Sequence, residues 1–170
     1  VAAELDMDTM IYDRINELAP TISSQPLGLA YHRPESWALA SRCFENATRK
    51  AAEAGGLCRF GWTFHHRYAD TVPGVGYLFV THHAVWHAPI GHLIDVTPYP
   101  DPWHRPIPSG ESVLFLIDDR AQPVKRLNLV APLPLRFFAL DRSVALSDYV
   151  KKLNEQELQA CNNIYAGKLE

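Results

Sequence analysis

Residues 81–98 read THHAVWHAPIGHLIDVTP, and the fold turns on how this stretch pairs with itself. Pro89 and Gly91 supply turn chemistry at its centre, with β-branched and aromatic residues on both sides, so the spacing predicts two antiparallel strands around a turn at residues 88–91. With the turn centred on Pro89, Val85 is expected to face Leu93, and His83 to face Asp95. Directly opposite residues bring their Cβ atoms ~5 Å apart, close enough for a carboxylate to bond one imidazole nitrogen. Such a bond fixes the tautomer and leaves the other nitrogen free to act as a base. A slip of one residue would send the two side chains to opposite faces.

Parity along the strand sorts the other histidines. The chain has eight, six of them at positions 65, 66, 82, 83, 87 and 92. His83, Val85 and His87 share one face, and His82, Ala84 and Trp86 the other. On one strand His83 and His87 lie ~13 Å apart, too far to share a metal unless other elements fold over them. His82, His87 and His92 are expected to be partly exposed strand or turn residues.

Working outward, strand-like runs cover residues 57–66, 76–87, 92–97 and 112–118, with weaker signals at 126–130 and 135–140. Upstream, Met7, Met10, Ile11, Ile15 and Leu18 recur at helical spacing, which predicts an amphipathic helix ending before Pro20. A loop through Pro26 and Gly28 follows, then a helical stretch stopped by Gly55 and Gly56. Its residues Phe44, Ala47, Ala51 and Ala54 suit close packing on a sheet. A last helix is expected from Ser147, acting as its cap, to Ile164. Residues 98–108 carry five prolines, with Trp103 and His104 between them, and form a stiffened loop. These elements predict an α+β domain spanning residues 1–170: N-terminal helices, one bearing a cysteine, packed on a mainly antiparallel sheet, and a C-terminal helix.

Composition bounds the function. A net charge of −3 with 21% charged residues lacks the basic surface of a nucleic-acid or anionic-membrane binder, and no apolar run approaches a membrane span. Neither partner is expected. The chain begins at Val1, which implies a trimmed start, and residues 1–20 lack a signal-peptide pattern. Localisation is left open, cytoplasmic by default.

Three cysteines build no disulfide framework. Cys58 alternates in step with Phe60 and Trp62, and Cys161 lies on the last helix; both read as packing. Cys43 lies in the sequence Ser41, Arg42, Cys43, Phe44, Glu45, Asn46. If Ser41 caps the helix, Cys43 occupies its first turn, where free amides and the helix dipole activate a thiol. If the helix starts near residues 34–36, Cys43 is mid-helix and inert.

The order of these residues resembles the transglutaminase-like branch of the papain-like superfamily. The resemblance spans residues 41–98: a helix cysteine followed four positions on by the small residue Ala47, a glycine turn, the strand His83, Ala84, Val85, Trp86, and the strand Asp95, Val96, Thr97, Pro98. It implies a Cys43, His83, Asp95 triad and a peptide, protein or other amide substrate; no cofactor and no metal are expected. The stretch from Cys43 to Gly55 is shorter than usual, Val85 separates Ala84 from Trp86, and no calcium-binding acids are evident. The bond attacked is therefore left as peptide, amide or isopeptide. Gln25, His32 and Trp37 are candidate oxyanion donors. Trp62, Trp86 and Trp103 are candidate substrate-binding walls, with core and loop packing as the alternative. Two rival readings stand beside this one: a zinc site drawn from the histidines of residues 65–92 with Asp95 or Cys58, and a papain-like module that binds without catalysis.

Overall fold

The computed structural model describes residues 7–126 and 129–165. Its elements run α1 (Met7–Ile22), β1 (Leu27–His32), α2 (Cys43–Ala54), β2 (Leu57–Arg67), β3 (Tyr77–His87), β4 (Leu93–Asp95), a 3₁₀ turn (Pro102–His104), β5 (Pro108–Ser109), β6 (Ser112–Ile117), β7 (Val124–Arg126), β8 (Leu129–Ala131), β9 (Arg136–Ala139) and α3 (Val144–Tyr165). The fold is α+β, with a mixed five-strand barrel-like sheet between an N-terminal helix, the Cys43 helix and a long C-terminal helix.

Strands β1, β4, β3, β2 and β6 are neighbours in that order, and β6 pairs back onto β1, which closes the ring. Only β1 and β4 run parallel; the other pairings are antiparallel. The segment 27–32, expected to be loop, is therefore the strand that closes the barrel. Of its six residues only Ala30 is buried, so no alternating apolar pattern marks it. Ala30, Val85, Val113 and Phe115 form the barrel interior. Gly61 stands opposite His83 on the neighbouring strand. A Cβ on it would lie 2.2 Å from the Leu116 carbonyl and 2.7 Å from the Phe115 ring.

A second core lies where α1 lays Ile11, Ile15, Leu18 and Ile22 against Trp62, Phe64, Leu78, Val80 and Leu116. This packing explains why α1 runs through Pro20 instead of stopping before it. One ladder hydrogen bond is given up, while Ser23 N–H still closes the last turn on the Ala19 carbonyl at 3.0 Å and Ile22 is buried. A third cluster joins α2 to the sheet through Cys43, Phe44, Ala47 and Ala84.

At the other end α3 starts at Val144, three residues earlier than expected. Ser143, not Ser147, caps it: its hydroxyl accepts from Leu146 N–H at 3.4 Å. Asn154 of α3 docks on β9 by accepting from Phe137 N–H and donating to the Phe137 carbonyl, both at 2.9 Å, which covers that strand's edge. The single strand expected at 126–130 is two short strands, β7 and β8, paired antiparallel; its middle, residues 127–128, lies outside the described residues. No described helix is long and apolar enough to cross a membrane.

Gly61→Ala is expected to force Phe115 and the β6 backbone apart, with a loss of about 2–3 kcal/mol typical of core overpacking. Urea denaturation of the two proteins measures it, and an unchanged midpoint would remove Gly61 from any role in closing the barrel.

Candidate active site

The hairpin that carries His83 folds as expected in kind but not in register. Ala88 N–H donates to the His92 carbonyl at 2.9 Å, and His87 faces Leu93 with Trp86 facing Ile94. The turn is thus centred on Ile90, one residue beyond Pro89, because Ala88 and His92 enclose a three-residue connection. Val85 does not face Leu93, and Asp95 stands two positions along from the place expected for it. Moving the centre by one residue shifts pairing by two, which preserves parity. His83 and Asp95 therefore stay on one face as diagonal neighbours, within side-chain reach.

His83 Nε2 donates to Asp95 Oδ2 at 3.0 Å. Asp95 is 0% exposed, and its carboxylate collects two more donors: Thr97 N–H on Oδ1 at 3.1 Å, and the Tyr99 hydroxyl on Oδ2. Burial opposes the ionised form of Asp95, but the His83 charge and these hydrogen bonds outweigh it and hold the pKa below the usual carboxylate range. Burial likewise opposes a charged His83, yet Asp95 and then Cys43 reverse the balance and raise its pKa well above the ordinary imidazole value. Burial and the neighbouring carboxylate push the Tyr99 hydroxyl up, so it remains a donor.

Cys43 is the first residue of α2, whose N-cap is Arg42. Ser41 makes no cap; it takes a left-handed backbone, φ 63°, and turns the chain into the helix. The first intrahelical bond runs from Asn46 N–H to the Arg42 carbonyl at 2.9 Å, so the amides of Cys43, Phe44 and Glu45 lack an intrahelical acceptor. With Nε2 of His83 committed to Asp95, its Nδ1 is the nitrogen left for the Cys43 thiol, which is near enough to help raise the His83 pKa.

Asn46 locks the helix to the strand that carries Asp95. Its buried amide donates to the Leu39 carbonyl at 2.8 Å and to Thr97 Oγ1 at 3.2 Å, and accepts from Leu39 N–H at 3.2 Å. One side chain thus ties the approach to Cys43 to the residue two past Asp95. Nothing in the sequence spacing marks Asn46, Tyr99 or Thr97 for these roles. Asn46 looks like an ordinary polar residue one turn into a helix, and Tyr99 lies among prolines.

These residues line a cleft of ≈ 650 Å³. The start of α2 forms one wall, the 97–106 loop the other, and β2 with β3 the floor, through Thr63, His65, Arg67, Phe79, Thr81 and His83. Trp103, 72% exposed, lines the rim. The other candidate walls lie elsewhere. Trp62 is fully buried beneath α1 with its indole N–H on Asp118, and Trp86 donates to the Gly55 carbonyl at 2.8 Å.

None of the candidate oxyanion donors lines the cleft either. Gln25 sits in the α1–β1 link with its N–H on the Ser23 hydroxyl, and Trp37 lies under the Arg49 guanidinium, 4.0 Å away. His32 donates to the Thr97 carbonyl at 3.0 Å and stacks on Tyr99, which makes it a support for the Asp95 strand.

The clustered histidines disperse. His82, expected to be partly exposed, is buried: Nε2 donates to the Ala121 carbonyl at 2.7 Å and Nδ1 accepts from Leu133 N–H at 2.9 Å. Two partners at fixed distances explain its burial. His65 stacks on Phe79, bonds Thr81 Oγ1 at 3.0 Å, and keeps its buried Nδ1 without a hydrogen bond. His66 donates to the Val75 carbonyl, and His87 and His92 lie away from the cleft. Among the described residues no three His, Cys, Asp or Glu side chains converge as a metal site. The chain matches no family model, no curated protein and no solved structure.

Two outcomes follow from these contacts. Asn46→Ala leaves Leu39 and Thr97 without their partner, and thermal denaturation is expected to show a loss of about 2 kcal/mol; a loss too small to measure would mean that the lock carries no energy. The second concerns acid. Burial holds His65 to a pKa of about 3 and His82 to about 4, so below pH 6.5 the unfolded chain takes up protons that the folded chain does not. Their contribution to stability is full above pH 6.5 and falls with pH by up to about 1.4 kcal/mol per histidine per unit. His83, whose pKa is raised, exerts its pH effect above 6.5. Urea midpoints between pH 7 and 4.5 should slope less steeply for His65→Gln than for the parent, and equal slopes would show that His65 titrates normally.

Proposed function

We propose that the protein is a thiol-dependent hydrolase or acyltransferase that attacks an amide, peptide or isopeptide carbonyl through Cys43, His83 and Asp95. The observation that supports this most directly is the coupling of one imidazole to two partners: Nε2 on a fully buried carboxylate, and Nδ1 left for a thiol that begins a helix. A histidine that merely needed satisfying would not require a thiol at a helix start beside it in a cleft. The resemblance to transglutaminase-like sequences across residues 41–98 points the same way.

In this reading His83 accepts the proton of the Cys43 thiol and becomes imidazolium, which Asp95 stabilises without taking the proton itself. The thiolate adds to the carbonyl carbon. The oxygen that becomes negative lies at the N-terminus of α2, where the Cys43 and Phe44 amides have no intrahelical acceptor and the helix dipole favours negative charge. Collapse of this adduct sends the His83 proton to the leaving amine and leaves a thioester on Cys43. Water then attacks for hydrolysis or deamidation, or an amine attacks for transfer, and His83 again removes the nucleophile's proton.

Alkylation with iodoacetamide, mapped by mass spectrometry at several pH values, tests the proposal. Cys43 is expected to react at least tenfold faster than Cys58 and Cys161 below pH 7, since a base-paired thiol at a helix start is the reactive type. His83→Ala should erase the advantage. Cys58, whose pKa burial raises, is the internal reference. Equal rates at the three thiols, or a Cys43 that reacts only after denaturation, would defeat the assignment.

A further inference from the structure

We infer that the far end of the cleft is a subsite for a carboxylate, built by Arg67 beside Phe79 and Trp103, which anchors an extended peptide-like substrate whose reacting carbonyl sits at Cys43. The inference rests on the thiol reading for what happens at Cys43, but not for the binding itself.

Arg67 ends β2 and lines the cleft, half-buried. Its guanidinium carbon lies 5.6 Å from the Phe79 ring centre and 5.7 Å from that of Trp103, and it donates to the Trp103 carbonyl. The other arginine of the cleft, Arg42, is paired with Glu45. Arg67 has no carboxylate partner among the described residues. The acid next to Trp103, Asp101, is spent on the Trp103 and His104 amides and the His104 ring. A guanidinium carries five donors, and the Trp103 carbonyl engages one end of the group. What remains is a fork between aromatic surfaces, suited to a bidentate carboxylate. Leaving a partly desolvated cation without a counter-charge costs free energy, which an arriving anion recovers.

Geometry sets the ligand's length. Phe79 and His83 stand four residues apart on β3, about 13 Å along the strand, with Thr81 between them on the cleft floor. At about 3.3–3.6 Å per residue, an extended peptide covers that span in about four residues. The ligand class is thus a peptide-like amide with a carboxylate three to four residues from the bond attacked. That carboxylate is either a chain terminus or an acidic side chain.

The test uses full-length Cys43→Ala protein and calorimetric binding of three acetylated tetrapeptides of alanine and phenylalanine. One has a free carboxyl terminus, one is its carboxamide, and one is the carboxamide with glutamate as its last residue. The free acid should bind about tenfold more tightly than the plain carboxamide, as a charge-assisted bidentate contact gives. The ratio should fall to about one in Arg67→Gln and lie between in Arg67→Lys. Recovery of tight binding by the glutamate peptide identifies a side-chain carboxylate as sufficient, and failure to recover it identifies a chain terminus; both uphold the subsite. Both acidic peptides binding no more tightly than the plain carboxamide with Arg67 present, a preference that survives Arg67→Gln, or no binding by any of the peptides overturns it. Loss of a purely structural strap on Trp103 would weaken acid and amide together and leave their ratio unchanged, which also overturns it. Because no turnover is involved, an inert Cys43 would sink the enzymatic reading while leaving this result intact.

Discussion

A carboxylate with no exposure to water constrains everything around it. Asp95 can stay ionised at that depth only because three donors converge on its two oxygens, from His83, Thr97 and Tyr99. Each donor must itself be held. His83 rides on the longest antiparallel pairing of the sheet, Thr97 is gripped by Asn46, and Tyr99 is covered by the His32 ring. The parallel pairing of β1 with β4 sets His32 level with Asp95, so barrel closure and the placement of the acid are one event. Breaking any of these supports exposes the buried charge to a loss larger than that of a typical surface contact.

That dependence explains which parts of the molecule were legible in the sequence. The hairpin from β3 to β4 announced itself by turn residues and parity, and parity outlived an error in the turn's centre, since a two-residue shift keeps every side chain on its face. His83 and Asp95 were therefore found for a reason only partly correct: they are diagonal, not opposite. The start of α2 was left between two choices, because Pro34, Glu35 and Ser36 suit a helix start as well as Ser41 does. Tertiary contacts decide it, with Asn46 folding the Leu39 segment back so that no helix can form there. Strand β1 was illegible for the opposite reason. Paired on both sides but buried at a single residue, it displays no periodicity to read. Pro20 misled in the same way, since the burial of Ile22 outweighs a lost hydrogen bond that local propensity treats as a stop.

The histidines show how composition misleads when position is ignored. A count of eight suggests a metal cluster, yet the sheet distributes the rings among unlike tasks. His82 is a neutral bracket that holds the Ala121 and Leu133 backbones, and His32 supports a tyrosine. His65 stays uncharged through burial and packs flat on Phe79. His83, by contrast, has its pKa raised. The distinction lies in the neighbours: where a ring meets backbone carbonyls and apolar rings, burial wins and keeps it neutral, and where it meets a buried carboxylate, charge wins.

The same contest between burial and partner charge distinguishes the cations of the cleft. Arg42 at the mouth is matched by Glu45 one turn along the helix, a pair that solvent screens and that fixes little. Arg67, at the other end, is set between rings with a single carbonyl for company. His82 is satisfied at both nitrogens and Asp95 at both oxygens, whereas Arg67 has no carboxylate partner among the described residues. The two ends of the cleft are thus electrostatically complementary in kind. At one end an internal carboxylate, Asp95, neutralises the His83 imidazole; at the other, in the subsite we propose, the charge opposite Arg67 comes with the ligand.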